Sequence, residues 1–346
     1  MYSFEDILDR KDNGSKKWSK EYINKRFKIS DEENYPLFIA DMDYKLPDEI
    51  INPINELITK GDFGYFDVRD SFYDSVVQWY KKNYSCSIKK EWIVPSIGAL
   101  SSMHLIVEKV FNKKDNLLIF TPVYGPFKDV VINNNMNLYK YKLKINKDRY
   151  YIDFKELSEF VERNNIKGII FCNPHNPSGR CWSKDELDKL VSLCKQNNIK
   201  IISDEIHADI IMPDNKHLPI VKYLREYKEL YLVSSGSKTF NYPGLIGSYA
   251  VIANKNIYDE FLSITRRRDF LNSVSLPGMY ATMVSYNECD YYIEQLVEYI
   301  DNNLSYVSQF IKENFEDIKF TKPEGTYLAW IDCRDVPFTC EEIQDS

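Results

Sequence analysis

Short apolar runs that alternate with helix-spaced segments are the feature that most constrains how this 346-residue chain folds. Each run is long enough for one buried strand, and segments with helical spacing of apolar residues, such as 154–164 and 184–196, lie between them. Strands separated by helices predict an α/β fold with a mostly parallel central sheet and helices on both faces. The predicted strands are residues 117–120, 139–143, 168–172, 199–203, 230–233 and 249–253.

The two ends of the chain predict a second, smaller unit. Near the N-terminus, residues 48–59 and 70–84 have helical spacing and lead into the first strands. After about residue 255 the pattern predicts helices and one late strand, at 257–270, 278–286, 291–315 and 327–331. We expect an N-terminal segment that joins a small α+β domain, a large ligand-binding domain and the small C-terminal domain itself, at 1–47, 48–276 and 277–346.

Composition and charge exclude several classes of function. The formal net charge of −7 argues against a general nucleic-acid surface. The seven cysteines are scattered and contain no C-x-x-C pair, so neither a disulfide framework nor a metal site is expected. No apolar run approaches the length of a membrane span, and the N-terminus has no signal-peptide pattern. The sequence predicts a protein of the reducing cytoplasm that binds neither nucleic acid nor membrane.

Polar side chains follow four of the predicted strands, where α/β folds bind their ligands. They are Tyr124, Asn176, Asp204 and Lys238. Because the carboxyl ends of parallel strands meet at one edge of a sheet, we expect these four side chains to lie together. Partial desolvation lowers the pKa of a lysine at such a position and makes its amine a usable nucleophile toward a carbonyl. The alternative is a surface lysine in a turn.

The residues that we expect to lie near Lys238 favour one chemistry. A buried acid such as Asp204 needs a partner, which is either a local donor or a cationic heterocycle nitrogen. Asn176, between two prolines, can point its amide at a ring oxygen, and Tyr124 can lie flat against a ring. The turn at Gly98 opens a helix whose free N–H groups can bind a phosphate. Lysine, aspartate and a helix start are the equipment that pyridoxal 5'-phosphate (PLP) requires.

Three motifs, in their order and spacing, resemble those of the PLP-dependent class I/II aminotransferase superfamily. They are Asn173-Pro-His-Asn-Pro-Ser-Gly179, Asp204-Glu-Ile-His207-Ala-Asp and Ser235-Gly-Ser-Lys238-Thr-Phe-Asn. Ile39-Ala-Asp-Met-Asp43, His207 and Glu324-Gly-Thr-Tyr-Leu-Ala-Trp-Ile-Asp332 are similar to the cystathionine β-lyase (carbon–sulfur lyase) branch. The resemblance covers nearly the whole chain and implies the fold-type I architecture of PLP enzymes, with PLP as cofactor.

The resemblance also implies a role for each matching residue. Lys238 would bind the cofactor covalently and later move the substrate α-proton as general acid and base, and Asp204 would pair with the ring nitrogen. The other predicted cofactor-site residues are Asn176 at the ring 3'-oxygen, Tyr124 stacked on the ring, His207, and, at the phosphate, Ala99, Leu100, Ser235 and Ser237. Tyr65 would reach the phosphate of a neighbouring subunit, which implies a homodimer with shared sites. The predicted substrate-pocket residues are Ala40, Asp41, Tyr44 and Asn176.

The activity that this resemblance implies is β-elimination on L-cystathionine or a related cysteine S-conjugate, which gives a thiol, pyruvate and ammonia. One departure concerns the substrate α-carboxylate, which the family binds with a late arginine. The chain has no such Arg-Xaa-Asn segment, so we expect a truncated C-terminal domain, or a substitute in Arg334 or one of Arg266–Arg268. Two alternatives stay open: a PLP-dependent aminotransferase, and a PLP-binding regulatory or interaction protein without turnover.

Overall fold

The computed structural model describes residues 2–28, 35–269, 274–339 and 342–343. The α-helices in these residues are α1 (Lys20–Phe27), α2 (Asp48–Lys60), α3 (Asp70–Tyr84), α4 (Ala99–Val110), α5 (Pro126–Asn133), α6 (Phe154–Arg163), α7 (Lys184–Gln196), α8 (Lys255–Ser263), α9 (Leu276–Glu288) and α10 (Asp290–Asn314). The strands are β1 (Ile93–Ser96), β2 (Asn116–Thr121), β3 (Asn137–Lys142), β4 (Lys144–Asn146), β5 (Arg149–Tyr151), β6 (Ile166–Cys172), β7 (Lys200–Asp204), β8 (Leu230–Ser234), β9 (Ser248–Ile252), β10 (Lys319–Phe320) and β11 (Ile331–Asp332).

Seven of the described strands form one central sheet, in the order β1-β9-β8-β7-β6-β2-β3. Strands β8, β7, β6, β2 and β3 are parallel, whereas β9 is antiparallel to both of its neighbours, β1 and β8. Strand β1 therefore points in the same direction as β8. This sheet confirms the predicted α/β fold, and it places the carboxyl ends of all its strands except β9 along one edge, the carboxyl edge.

Alternate residues of the central strands pack into two apolar cores, one on each face of the sheet. In β2, Leu118 and Phe120 belong to one core, whereas Leu117 and Ile119 belong to the other. Helices α3 and α7 contribute to the first core, and α4 and α5 contribute to the second. Because successive side chains of a strand point to opposite faces, a sheet covered on both sides needs continuously apolar strands. The short apolar runs of the sequence satisfy this need.

Side-chain caps fix where several helices begin. At α7, the Ser183 hydroxyl accepts the backbone N–H of Glu186 while the Glu186 carboxylate accepts the backbone N–H of Ser183. At α6, the Asp153 carboxylate accepts the N–H groups of Lys155 and Glu156. A cap of this kind typically stabilises a helix by about 1 kcal/mol. The predicted helix at 184–196 is confirmed, and the one predicted at 154–164 ends one residue earlier.

Two predicted elements were wrong in part. The strand predicted at 327–331 is reduced to β11, because Thr326 has a φ of +72° and the Leu328 N–H bonds back to the Thr326 hydroxyl at 3.2 Å. Such a local hydrogen bond competes with strand pairing. The helix predicted at 257–270 is α8 followed by a π-helical turn at Ile264–Arg268, and residue 270 lies outside the described residues. The hairpin of β4 and β5 had not been predicted.

Helix α10 is 25 residues long and amphipathic. Its buried side chains recur at helical spacing along one face, at Tyr292, Leu296, Ile300, Leu304 and Ile311. The remaining surface of the helix carries charged and amide side chains together with the exposed rings of Tyr306 and Phe310. Neither this helix nor any other in the described ranges combines the length and apolarity needed to cross a membrane.

Candidate active site

The carboxyl edge of the sheet collects four of the predicted site residues: Tyr124, Asn176, Asp204 and Lys238. Asp204 ends β7 and lies opposite Cys172 of β6 and Val233 of β8 in the sheet register. Lys238 follows β8, and Asn176 and Tyr124 follow β6 and β2. Asp204 is close enough to Lys238 and to Tyr124 to act electrostatically on both. The structure therefore brings a lysine, an acid and an aromatic ring to one site.

Lys238 supplies an enclosed amine. Its Nζ donates a hydrogen bond of 2.7 Å to the carbonyl oxygen of Ala40. Burial lowers the pKa of Lys238 below its ordinary value, although the negative charges of Asp41 and Asp204 act in the opposite direction. A lowered pKa enlarges the neutral fraction of the amine near pH 7, and the neutral form is the nucleophile and the base.

Asp204 is a buried acid, 5% exposed. Burial raises its pKa to about 6, helped by the charge of Glu205 and opposed by the Ile206 N–H, which donates to Oδ1 at 3.1 Å, and by Lys238. A raised pKa marks a carboxylate whose negative charge is incompletely compensated by the chain. A cationic group placed beside Asp204 would therefore be strongly favoured.

His207 lies beside Tyr327 near Lys238. The two rings meet edge to face, with centroids 5.6 Å apart. Burial, together with the charge of Lys238, lowers the pKa of His207 to about 3, so the imidazole is neutral at pH 7. Its Nδ1 atom is buried without a hydrogen-bond partner in the described part of the chain. The site thus contains a neutral ring nitrogen that a polar ligand can use.

Asn176 and Tyr124 occupy the loops after β6 and β2. The Asn176 turn is closed by a hydrogen bond of 2.8 Å from the His175 N–H to the Arg180 carbonyl. Asn176 is half-buried, and Tyr124 is 39% exposed with its ring edge to face against Phe127. Both residues lie at the carboxyl edge and keep surface that a ligand can contact.

The first turn of α4 lies at the same edge, because β1 and β8 point in the same direction. Gly98 is the N-cap and brings no side-chain cap, so the N–H groups of Ala99 and Leu100 have no acceptor within the helix. The hydroxyl of Ser96, at the end of β1, is buried without a partner in the described residues. Free N–H groups and a free hydroxyl at a helix start suit an anion such as a phosphate.

Ser235 and Ser237 shape the loop before Lys238. The Ser235 hydroxyl donates to the carbonyl oxygen of Gly247 and accepts the Ser237 N–H at 3.0 Å. Both serines are buried. The hydroxyl proton of Ser235 is therefore used inside the chain, so Ser235 contributes to the geometry of this loop.

The Ala40–Tyr44 loop lies over Lys238, and the amide side chain of Asn241 is one of the groups that hold it. Asn241 Oδ1 accepts the Met42 N–H, and Asn241 Nδ2 donates to the Met42 carbonyl, both at 2.8 Å. Asn241 has a φ of +59°, in the left-handed region that asparagine tolerates better than most residues. Three residues after the amine, the chain thus fixes the loop that contacts it.

Two predicted substrate-pocket residues of this loop have partners inside the chain. The Asp41 carboxylate pairs with the Arg10 guanidinium at 2.8 Å. The Tyr44 hydroxyl donates to the Tyr299 hydroxyl at 2.9 Å. Ala40 contacts Lys238 through its backbone carbonyl. The loop therefore offers its backbone to the site, and these two side chains anchor it.

A buried carboxylate, Asp209, fixes the residue that follows Lys238. It accepts hydrogen bonds from the Thr239 hydroxyl at 2.7 Å, from the Trp79 indole N–H at 3.0 Å and from the Tyr84 hydroxyl. Burial raises the pKa of Asp209, and these donors oppose the shift. Three donors on one carboxylate give the Lys238 loop a rigid support.

The segment around Glu324 is attached to the turn after β6. The Glu324 carboxylate accepts from the guanidinium of Arg180, which is 2% exposed, and the Glu324 N–H donates to the Gly179 carbonyl at 2.9 Å. Gly179 has a φ of +66°, and a Cβ there would lie 2.2 Å from the Cβ of Pro323, so only glycine fits. This attachment carries Tyr327 to the site.

Other predicted residues lie in different surroundings. Tyr65 is fully exposed, in the loop between α2 and α3. The Arg334 guanidinium bonds to Asp332 at 2.8 Å, and Arg268 bonds to Glu108. Both arginines are exposed and engaged by carboxylates of the chain itself. The structure thus gives neither of them a contact with Lys238 or Asp204.

Five residues that shape the site have no role predicted from the sequence: Arg10, Lys17, Asp209, Asn241 and Tyr327. Asp209, Asn241 and Tyr327 fall inside the quoted motifs, and that membership was the available signal. Arg10 and Lys17 lie in the charge-mixed N-terminal segment and meet the Ala40–Tyr44 loop across 24 to 33 residues. Ordinary charged residues at such a separation carry no recognisable pattern.

Fold and site together define a class of α/β enzyme that holds an amine nucleophile and a buried carboxylate at the carboxyl edge of a mostly parallel sheet. Comparison with known families agrees with this class. The chain belongs to the family of class I and II aminotransferases, whose model matches residues 36–346.

Several proteins resemble the chain over nearly its whole length. Cystathionine beta-lyase PatB of Bacillus subtilis (strain 168) is 28% identical over 343 residues, which cover 99% of this chain and 87% of PatB. The PLP-bound C-S lyase from Staphylococcus hominis is 32% identical, with a TM-score of 0.88 over 96% of this chain and 82% of that one. Cystalysin from Treponema denticola, which contains PLP, is 30% identical, with a TM-score of 0.94 over 100% and 87%.

Proposed function

We propose that this protein is a PLP-dependent carbon–sulfur β-lyase that converts L-cystathionine or a related cysteine S-conjugate into a thiol, pyruvate and ammonia. The observation that carries the proposal is the enclosed amine of Lys238 beside the buried carboxylate of Asp204. The aminotransferase family and the similarity to carbon–sulfur lyases support the reaction class. They also confirm the prediction that PLP is the cofactor.

The described residues fit this cofactor, because several buried polar groups at the carboxyl edge lack a hydrogen-bond partner or a compensating charge. Asp204 has a raised pKa and suits a protonated ring nitrogen. Ser96 Oγ and His207 Nδ1 are buried without partners in the described chain, and the start of α4 offers free N–H groups. Unpartnered buried polar atoms are rare in native proteins and indicate a missing ligand or water.

The chemistry divides between cofactor and protein. When bound, PLP supplies an electron-accepting ring that stabilises the charge left on the substrate Cα after its proton departs. Lys238 would bind the cofactor and, as a free amine, remove the α-proton, for which its lowered pKa prepares it. Asp204 would keep the ring nitrogen protonated through its negative charge. Asp204 is buried and Lys238 is half-buried, which limits the water that would compete for the proton.

The remaining predicted contacts complete the proposal. Asn176 would bind the ring 3'-oxygen, Tyr124 would stack on the ring, and His207 would border it. The phosphate would be held by the N–H groups of Ala99 and Leu100 and by Ser237, with Ser235 as support. The substrate pocket would be bordered by Ala40, Asp41, Tyr44 and Asn176, with the two anchored side chains acting through the loop that they hold.

We further propose that the protein is a homodimer with shared sites. The fully exposed Tyr65 supports this, because a large aromatic side chain at a loop tip is typical of an interface. Phe63 in the same loop is 57% exposed. Sedimentation velocity gives the subunit number, and a Tyr65→Phe variant with weakened PLP binding would support a contact between its hydroxyl and the partner's phosphate.

Two further predictions belong to the same proposal. The cytoplasm as location is supported by the free thiols of all described cysteines, five of which are buried.

The division into residues 1–47, 48–276 and 277–346 is supported by the central sheet, whose strands all fall within the middle range. Limited proteolysis of the purified protein, with the cleavage sites identified by mass spectrometry, would test this division.

The experiment that tests the function follows absorbance and products in the full chain. PLP is added, the visible absorbance of the bound cofactor is recorded, and L-cystathionine is supplied while pyruvate and homocysteine are assayed. We expect both products, and we expect Lys238→Ala to abolish the absorbance and the products. Lys255→Ala is the matched control, because Lys255 is an exposed lysine paired with Asp259 on α8.

Other outcomes discriminate the alternatives. Loss of the visible absorbance without pyruvate, restored by a 2-oxo acid, would indicate an aminotransferase. A stable absorbance with no turnover of any amino acid would indicate a PLP-binding protein without catalysis. If the protein retains no visible absorbance after PLP has been added and the unbound PLP removed, the proposal as a whole is contradicted.

A further inference from the structure

The carbonyl oxygen of Ala40 orients the amine of Lys238. Lys238 Nζ donates to this oxygen at 2.7 Å, and the Tyr327 hydroxyl donates to it at 2.9 Å. A lysine side chain ends in a freely rotating group on a flexible stem, so one strong acceptor decides where its nitrogen lies. The position of the Ala40 peptide therefore sets the position of the reactive amine.

That peptide belongs to a loop without helix or strand structure, and side chains from the N-terminal segment hold it. Arg10 pairs with both acids of the loop, through Nη2 with Asp41 at 2.8 Å and through Nη1 with Asp43 at 2.8 Å. Lys17 pairs with Asp43 at 2.7 Å. We call Arg10, Lys17, Asp41 and Asp43 the four-charge cluster.

The two cations of this cluster also bind the backbone of the loop. Lys17 Nζ donates to the Asp41 carbonyl at 2.9 Å, and Arg10 Nη1 donates to the Met42 carbonyl at 3.0 Å. The Asp41 N–H donates to the Ile39 carbonyl oxygen at 2.9 Å. This N–H belongs to the same peptide group as the Ala40 carbonyl. The turn from Ile39 to Asp41 thus holds the peptides on both sides of Ala40, and the two cations hold the two peptides that follow.

The four-charge cluster is partly shielded from water, with its acids 15% and 21% exposed, and it is balanced in charge. The Lys17 side chain is 4% exposed, and the Arg10 side chain is 16% exposed. Two cations face two carboxylates, so removing one member leaves a poorly solvated charge without its full partners. Such an arrangement gives a defined geometry at a cost in desolvation, which points to a role in positioning.

We propose that Arg10 and Lys17 are positioning residues for Lys238, which hold the Ala40 carbonyl so that the lysine amine points to the cofactor. This inference rests on the proposed function, because it assigns Lys238 as the residue that binds PLP. Neither Arg10 nor Lys17 contacts the amine. They bind the side chains and the carbonyls that follow Ala40 in the loop, and they act on the Ala40 carbonyl through the loop.

The test measures how fast the full chain, prepared without cofactor, captures PLP. Capture is followed as visible absorbance, and its rate constant is measured from about pH 7 to about pH 10. We expect Arg10→Met and Lys17→Met to capture PLP about 10-fold or more slowly at equal folded fraction, because a misplaced nucleophile loses its alignment. We also expect a change in the pH at which the capture rate constant is half-maximal. In these variants Asp41 loses a neighbouring cation, so its negative charge acts more strongly on the pKa of Lys238.

Matched variants separate positioning from general charge effects. Lys45→Met removes a lysine next to the loop whose pair with Asp48 is exposed, and it should capture PLP at the unsubstituted rate. Arg10→Lys keeps the charge but cannot span both acids, so it should fold and capture at an intermediate rate. If the methionine variants do not fold, Arg10→Lys decides the matter.

Capture with unchanged rate and unchanged pH midpoint in folded Arg10→Met and Lys17→Met, or in Arg10→Lys where those do not fold, would overturn the inference. No substrate is present, so the result is separate from lyase activity. If the unsubstituted chain captures PLP but releases no pyruvate, the lyase proposal fails while the capture rates still decide the role of Arg10 and Lys17. Loss of capture in Lys238→Ala confirms which amine is measured.

Discussion

The hydroxyl of Thr239 donates a hydrogen bond of 2.7 Å to the carboxylate of Asp209 and so joins the residue after Lys238 to the segment that follows β7. Asp204 ends that strand, five residues before Asp209. The amine and the acid of the proposed active site therefore lie on two loops that are bonded to each other. Their relative position depends on this bond as well as on the sheet.

Asp209→Asn should destabilise the folded chain by about 1–3 kcal/mol, because an amide N–H₂ would replace an acceptor among buried donors. Urea unfolding of the cofactor-free protein measures the change. Asp259→Asn is the control, since Asp259 pairs with Lys255 on the surface and its loss should cost less than about 1 kcal/mol. Equal losses in the two variants would contradict the support that we assign to Asp209.

Asp204→Asn should change the pH dependence of stability in the cofactor-free protein. The folded pKa of about 6 lies above the ordinary value of 3.8, so the folded state binds this proton more tightly than the unfolded chain. The contribution of Asp204 is fully present below about pH 4 and is lost as the pH rises through about 6, by about 3 kcal/mol. Urea midpoints of both proteins, compared from pH 4 to pH 7, should differ by an amount that varies over this window. A constant difference would contradict the raised pKa.

His207→Gln should act in the opposite direction. The folded pKa of His207 is about 3, below its ordinary 6.5, so the unfolded chain binds the proton more tightly. Its contribution to stability is present above about pH 6.5 and is lost as the pH falls toward 3. The glutamine variant should therefore lose less stability on acidification than the unsubstituted protein. Comparison with Asp204→Asn provides the control, because the two substitutions have opposite signs in the same titration.

Glu324→Gln should loosen the C-terminal attachment. It weakens the bonds to Arg180 and Arg149, and the buried Arg180 keeps only Glu186 as its carboxylate partner. We expect a loss of about 1–3 kcal/mol and faster hydrogen exchange in residues 320–332. Asp335→Asn, which breaks an exposed pair with Lys319, should leave the exchange unchanged. Identical exchange in both variants would contradict a clamping role for Glu324.

The sequence predicted the sheet well because its signals are local. Runs such as 168–172 are apolar on both faces, and residues at their carboxyl ends must converge when the strands are parallel. Asp204 and Lys238 could therefore be assigned to one site from the sequence alone. The direction of β9 could not, since nothing in residues 248–252 distinguishes a parallel from an antiparallel strand.

The supporting contacts of the site escaped prediction because they depend on pairings that are distant in the chain. Asp41 gave no sign that it pairs with Arg10, because many cations were available to it. Residues 327–331 had the composition of a strand, yet only Ile331 of this range lies in one, after the left-handed backbone at Thr326. Propensity cannot report a conformation that the attachment of Glu324 to Gly179 imposes.

The shared oxygen of Ala40 has a consequence for how the protein matures on the ribosome. Its two donors, Lys238 and Tyr327, are 198 and 287 residues away in the chain. Because translation proceeds from the N-terminus, Ala40 and Lys238 leave the exit tunnel well before Tyr327. In a nascent chain, Lys238 and Ala40 can therefore be present before Tyr327 is available to bond to the Ala40 oxygen. The Ala40 oxygen therefore gains its second donor, the Tyr327 hydroxyl, only after the C-terminal segment has been made and has docked.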